Sequence, residues 1–176
     1  MHRRRRPGPS RDRGVVACRG RRLAAGVLLV PALAACSSGP VEIDDPDLSS
    51  ADRASCEALV ADLPGTLAGE DRVDVEPAGA LGAAWGDPAY VLSCGVPQPS
   101  DYEPTAECNI IRGVGWYVPN DQLTHQGEDA TPIALSLAPY VEVDVPSDYR
   151  GEGIDRALAE LAPVLKEHLG EGLSCL

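Results

Sequence analysis

The cysteines carry the first chemistry. Cys36 closes the stretch Leu33-Ala34-Ala35-Cys36, which looks like a bacterial lipobox, where a peptidase cuts before a lipid-modified cysteine. Cys56, Cys94, Cys108 and Cys175 follow it. Zinc ligands cluster in closely spaced cysteine or histidine knuckles, and these four are widely spread, so no metal is expected. An even count in an exported domain points instead to two disulfides, with three pairings open. Cys94 ends one strand pattern and Cys108 precedes the next. Cys56 lies on a helix face and Cys175 follows the last helix. The expected bonds are therefore Cys94–Cys108 and Cys56–Cys175, worth about 3 and about 5 kcal/mol in the chain-entropy model.

Acid–base chemistry has fewer candidates. A hydrolase needs a nucleophile with a base in reach, and no Gly-x-Ser-x-Gly elbow occurs. His125 sits beside a polar loop, where a solvated ring is expected. His168 falls on the last helix, where a cation near the C-terminus is favoured by the dipole. Carboxylates are plentiful. Glu142 and Asp144 occupy positions i and i+2 of an alternating strand, with Tyr140 on the same face, and form a candidate surface for a sugar or a cation. Gly113-Val114-Gly115 lacks the strand-to-helix setting of a dinucleotide fingerprint, and its glycines are expected to allow close approach. Asp44-Asp45-Pro46-Asp47 has neither the central Gly nor the final Glu of a calcium loop in register. No cofactor is expected, and no catalytic residue is singled out.

The segment that would deliver these residues to their compartment comes first. Nine arginines precede Cys36, and an apolar run of about 13 residues separates them from it. A basic start, a short apolar core and small residues before a cut site make a secretory signal peptide. A spanning helix needs roughly 20 apolar residues, so retention as a transmembrane anchor is not expected. The expected organisation is a signal peptide over residues 1–35, a lipidated tether over 36–49, and one extracytoplasmic domain over 50–176. Fully extended, the tether would reach about 45 Å.

Charge divides at the same place. Of 15 basic and 27 acidic residues, nine and one precede Cys36, leaving six against 26 after it and a net charge of −20. Such a surface repels nucleic acid, which is bound through Lys and Arg at phosphates, and repels anionic head groups. It steers cationic partners. Phe is absent, so Val, Leu, Ile and Ala must build the core, with Trp85 and Trp116 as its largest members.

The elements follow from periodicity. Ser49 with Asp52 resembles a capping box, and Cys56, Leu59, Val60 and Leu63 share one helix face before Pro64-Gly65. Short strands come next: one near residues 72–75, then Ala83 to Trp85, Ala89 to Val96, Ile110 to Val118, Ile133 to Leu137, and Val141 to Val145, the last alternating with Glu142 and Asp144. A final helix begins near Ile154, and Pro163 within it predicts a kink or a break. The fold class is α+β: an N-terminal helix, an antiparallel sheet of about four to six strands and a C-terminal helix, stapled by disulfides.

Trp85-Gly86-Asp87-Pro88, Cys94-Gly95-Val96-Pro97 and Gly113-Val114-Gly115-Trp116, in this order behind a lipobox, resemble an actinobacterial lipoprotein family catalogued as domain of unknown function 3515. Gly39-Pro40-Val41-Glu42-Ile43 and Cys56-Glu57-Ala58-Leu59 resemble it too, so that the resemblance runs roughly from Gly39 to Lys166. It implies a cell-envelope setting and transfers no activity and no site residue.

Two functions are therefore expected to compete. The first is a non-catalytic lipoprotein, held at the extracytoplasmic face of the cytoplasmic membrane through Cys36, that binds a cationic envelope protein or a cell-wall glycan and no nucleic acid. The alternative is an envelope hydrolase using paired carboxylates. A deep pocket with convergent carboxylates would favour the enzyme, and a flat acidic face the binder.

Overall fold

Ser49 opens the first helix as its sequence predicts. In the computed structural model, which describes residues 39–151 and 154–174, its hydroxyl accepts from the Asp52 amide at 3.2 Å, and α1 runs Ser50–Asp62. A strand precedes it, β1 (Val41–Glu42). After α1 come β2 (Thr66–Leu67), β3 (Glu70–Val73), β4 (Val75–Glu76), β5 (Gly82–Trp85) and β6 (Tyr90–Cys94). Then follow β7 (Asn109–Ile111), β8 (Val114–Tyr117), α2 (Asn120–Thr124), β9 (Ile133–Ala134) and β10 (Leu137–Ala138). The chain continues through β11 (Val141–Asp144), α3 (Ser147–Arg150), α4 (Asp155–His168) and β12 (Gly170–Glu171).

The architecture is α+β, with a larger sheet than the four to six strands expected. Eight strands pair in the order β2-β3-β5-β6-β11-β9-β8-β7, each pair antiparallel. Two small pairs lie outside it, β1 with β4 in parallel and β10 with β12 antiparallel. The helices do not bracket the chain either, since β1 precedes α1 and β12 follows α4.

Strand alternation sorts the side chains onto two faces. On one face Trp85, Leu92, Cys94, Trp116, Val141 and Val143 are buried with Leu59 of α1 and Leu158, Leu161 and Leu165 of α4. Both tryptophans are fully buried, so they are core rather than a stacking platform. Trp85 Nε1 donates to Pro64 O at 2.9 Å. α4 runs unbroken across Pro163, so it is one helix and not two short ones. Pro163 is exposed, on the side away from the buried stripe of Leu158, Leu161 and Leu165.

The disulfides differ from both expected pairings. Cys56 is bonded to Cys94, with Cα atoms 5.7 Å apart. This excludes Cys94–Cys108 and Cys56–Cys175 together. The reason lies in the alternation Tyr90, Leu92, Cys94: it turns Cys94 inward, under α1, instead of leaving it at a loop end. Cys108 is disulfide-bonded as well, to neither of these two. Cys36 and Cys175 lie outside the described residues.

The apparent strand Ile110 to Val118 is a hairpin. Arg112 and Gly113 take φ of 51° and 83°, the left-handed pair that a tight two-residue hairpin turn requires. Gly113 is therefore a turn residue, not a point of close approach. Likewise Ile133 to Leu137 is two strands, and Leu135 and Ser136 between them leave the main sheet.

Residues 41–48, expected to be tether, belong to the fold. Val41 and Ile43 donate to Asp74 O and Glu76 O at 2.9 and 2.8 Å, and Ile43 is buried. Arg53 of α1 pairs with Asp45 at 3.0 Å and donates to Pro46 O. Leu48 and Pro46 pack over Gly95, whose φ is +91° and where a Cβ would meet Leu48 at 2.6 Å. No helix among the described residues is long and apolar enough to cross a membrane.

Candidate functional site: an acidic cleft on the open face of the sheet

The face of the sheet turned away from α1 and α4 carries a cleft of about 930 Å³. Val91, Ser93, Ile133, Glu142 and Asp144 form its floor. The floor follows from register, because Glu142 lies opposite Ser93 on β6 and Ile133 on β9, and Asp144 opposite Val91. One wall is the segment from Glu42 to Pro46, and the other is the proline-rich loop from Val96 to Asp101. Beyond the end of β1 neither wall is regular, and side chains hold both. Ile43 and Leu48 fix the first. In the second, Asp101 accepts from the Tyr117 hydroxyl at 3.2 Å, and Tyr102 meets the Tyr117 ring edge-on with centroids 5.4 Å apart.

Five carboxylates line the cleft: Glu42, Asp44, Asp101, Glu142 and Asp144. No Lys, Arg or His is among its lining residues. Burial against the floor raises the Glu142 carboxyl above the ordinary range, and the charge of Asp144 raises it further. Burial also raises Asp144, helped by the charge of Asp129. Both groups are thus partly stripped of water without a compensating cation, a state that a cationic ligand relieves.

The expected surface of Glu142, Asp144 and Tyr140 is changed in form. Glu142 and Asp144 are half-buried on a cleft floor instead of standing on a solvated face. Tyr140 packs with Tyr117, Ile133 and Leu135 and is not part of the lining. Of the wall carboxylates, sequence reasoning weighed Asp44 only as part of a calcium loop that it rejected, and it did not single out Glu42 or Asp101. The signal for Glu42 and Asp44 was the acidic run to Asp47, which carries no periodicity, and Asp101 had none.

The histidines lie elsewhere. His125 Nδ1 stands 2.8 Å from Asp121 O at the end of α2. His168 Nε2 lies 2.9 Å from an Asp62 carboxylate oxygen, close enough for an ion pair but not aligned as a hydrogen bond. It ties the end of α4 to the end of α1. No cluster of three or more His, Cys, Asp or Glu suited to a metal ion occurs among the described residues.

The cleft has the concave form that the hydrolase alternative requires. Its arrangement differs from that chemistry in one respect. Glycosidase carboxylates flank a bond from two sides, whereas Glu142 and Asp144 rise side by side from one strand, with Cα atoms about 7 Å apart at ~3.4 Å per residue. Fold and site together define an α+β protein with an acid-lined cleft on one sheet face. The chain belongs to the family described as protein of unknown function (DUF3515), whose model matches residues 22–172. No curated protein and no solved structure matches the chain.

Proposed function

We propose that this protein is a non-catalytic envelope lipoprotein, anchored through Cys36 at the extracytoplasmic face of the membrane, whose cleft holds a cationic segment of an envelope protein or an amine-bearing cell-wall component. One observation carries this reading: five carboxylates line a single cleft with no basic side chain among its lining residues. Two of them are partly desolvated, so an ammonium or guanidinium group recovers Coulomb energy there that bulk water would screen. Long-range steering by the net negative surface adds on-rate, and an anchor would confine the domain near membrane partners.

The test is calorimetric titration of the full chain with a short lysine-rich peptide. Binding should weaken as salt rises past about 0.15 M, where the Debye length is near 8 Å. It should also strengthen as pH rises through the raised titrations of Glu142 and Asp144, because the ligand favours their charged forms. Glu142→Gln with Asp144→Asn should cost about tenfold or more in affinity. Salt-independent capture that survives the double substitution would remove the cleft from the account.

The raised Glu142 carboxyl favours one second reading, a hydrolase in which Glu142 acts as the general acid. Turnover of peptidoglycan by the purified protein, lost in Glu142→Gln, would establish that reading and displace the first. Mass analysis of the membrane-bound protein checks the anchor separately, and Cys36→Ala should release it or leave it uncleaved.

A further inference from the structure

A second, smaller pocket of about 200 Å³ lies at the other end of the sheet, between β7, β8 and the start of α4. It is unrelated to the acidic cleft in position and in charge. Ile111, Val118, Leu123, Ile154 and Leu158 give it an apolar side, and Asn109 and Gln126 line it as well. Two buried polar residues border the same space. Trp116, fully buried, lines the pocket, and its Nε1 has no hydrogen-bond partner. An indole N–H left unpaired inside a protein is costly. It differs from Trp85, whose Nε1 has Pro64 O.

The second group is Arg150, 6% exposed and the one buried charged side chain among the described residues. Its Nη1 donates to Glu128 O at 3.0 Å and its Nη2 donates to Gln122 O. Those bonds brace the segment after α2, but both acceptors are neutral carbonyls. No Arg150 ion pair occurs among the described residues. A guanidinium carries five N–H donors in a planar fork, so donors and a full charge remain. A buried cation with no counter-ion among the described residues is an expensive arrangement for a fold to keep.

We propose that this pocket binds a small carboxylate with a short apolar chain, the carboxylate taken by the Arg150 guanidinium beside Trp116 and the chain by the aliphatic lining. The volume equals roughly seven water molecules at ~30 Å³ each, which limits the occupant to a few carbons. The guanidinium fork matches a planar carboxylate. Asp155 lines the pocket from the exposed first turn of α4, and its charge opposes a multiply charged anion such as phosphate. The site thus selects a single negative charge on an apolar body.

The two tryptophans supply probe and control. In a heteronuclear correlation spectrum of the nitrogen-labelled full chain, millimolar isovalerate should shift the Trp116 indole resonance and leave that of Trp85 in place. Isovaleramide, with the same body and no charge, should need about tenfold more ligand for the same shift. Leu123→Glu adds a negative charge at a half-exposed lining position without touching the core. It should weaken isovalerate binding about tenfold and leave the Trp85 resonance unchanged. A Trp116 resonance indifferent to isovalerate overturns the proposal. So does an equal response to isovalerate and isoamylamine, or a shift common to both indoles.

Discussion

The two faces of the main sheet are built from the same strands and do opposite things. Tyr90, Leu92, Cys94, Val141 and Val143 point one way and are sealed by α1 and α4. Val91, Ser93, Glu142 and Asp144, their immediate neighbours, point the other way and floor a cleft. The sealed face is covered by α1 and α4, whose leucines are buried against it. The open face is covered only at its margins, by an acidic segment and a proline-rich loop that leave a gap between them. One face therefore concentrates stability, and the other tolerates desolvated charge. A strand with period two is what allows both in adjacent residues.

That division can be broken from the sealed side first. Trp85→Ala should cost up to about 5 kcal/mol, since it empties the largest buried site under α1, and denaturant melts should show it. Replacing Cys56 and Cys94 together by Ala should cost about 4 kcal/mol in the chain-entropy model for a loop of 38 residues. The same melts check this, with non-reducing peptide mapping to verify the bond. A destabilisation equal to these from Glu142→Gln would mean that the open face holds the fold too, and the contrast would fail.

The smallest effect has the opposite sign. Glu142 and Asp144 both have raised carboxyl titrations, so the folded chain holds their protons more tightly than the unfolded chain. Below the ordinary carboxylate range both states are protonated and the pair takes nothing from stability. As pH rises through that range and on through the raised values, the folded state loses stability, and the deficit is then constant. Glu142→Gln with Asp144→Asn should therefore raise the melting temperature modestly at pH 7, with the gain vanishing in acid. A variant less stable than wild type at neutral pH would show that the pair is compensated by contacts outside the described residues.

What could be read in the sequence follows the same division. The sealed face was legible, because Leu59 and Leu63, Val141 and Val143, and Leu158, Leu161 and Leu165 repeat at the period of their elements. So was the cap at Ser49. The cleft was not. Its walls are prolines and aspartates without periodicity, anchored by single residues such as Ile43 and Leu48 that no pattern marks. The disulfide was half visible: the alternation through Leu92 placed Cys94 inward, but loop proximity to Cys108 was the competing signal. The hairpin at Arg112 was hidden by an arginine in a left-handed conformation that side chains with a Cβ rarely adopt.

The attachment of β1 to β4 has a mechanical consequence. Under the anchoring proposed at Cys36, only four residues lie between that cysteine and Val41, a reach of about 18 Å over the five steps at full extension. Any tension between membrane and domain then enters through Val41 and Ile43, whose amides hold Asp74 O and Glu76 O, and through the Arg53 clamp on Asp45 and Pro46. These contacts belong to the acidic wall and not to the leucine core. Traction on the leash would load those amides and the Arg53 clamp before it reaches the leucines of α1 or α4, so the cleft would widen while the core stays folded. The grip on an occupant would then depend on how hard the surface is pulled.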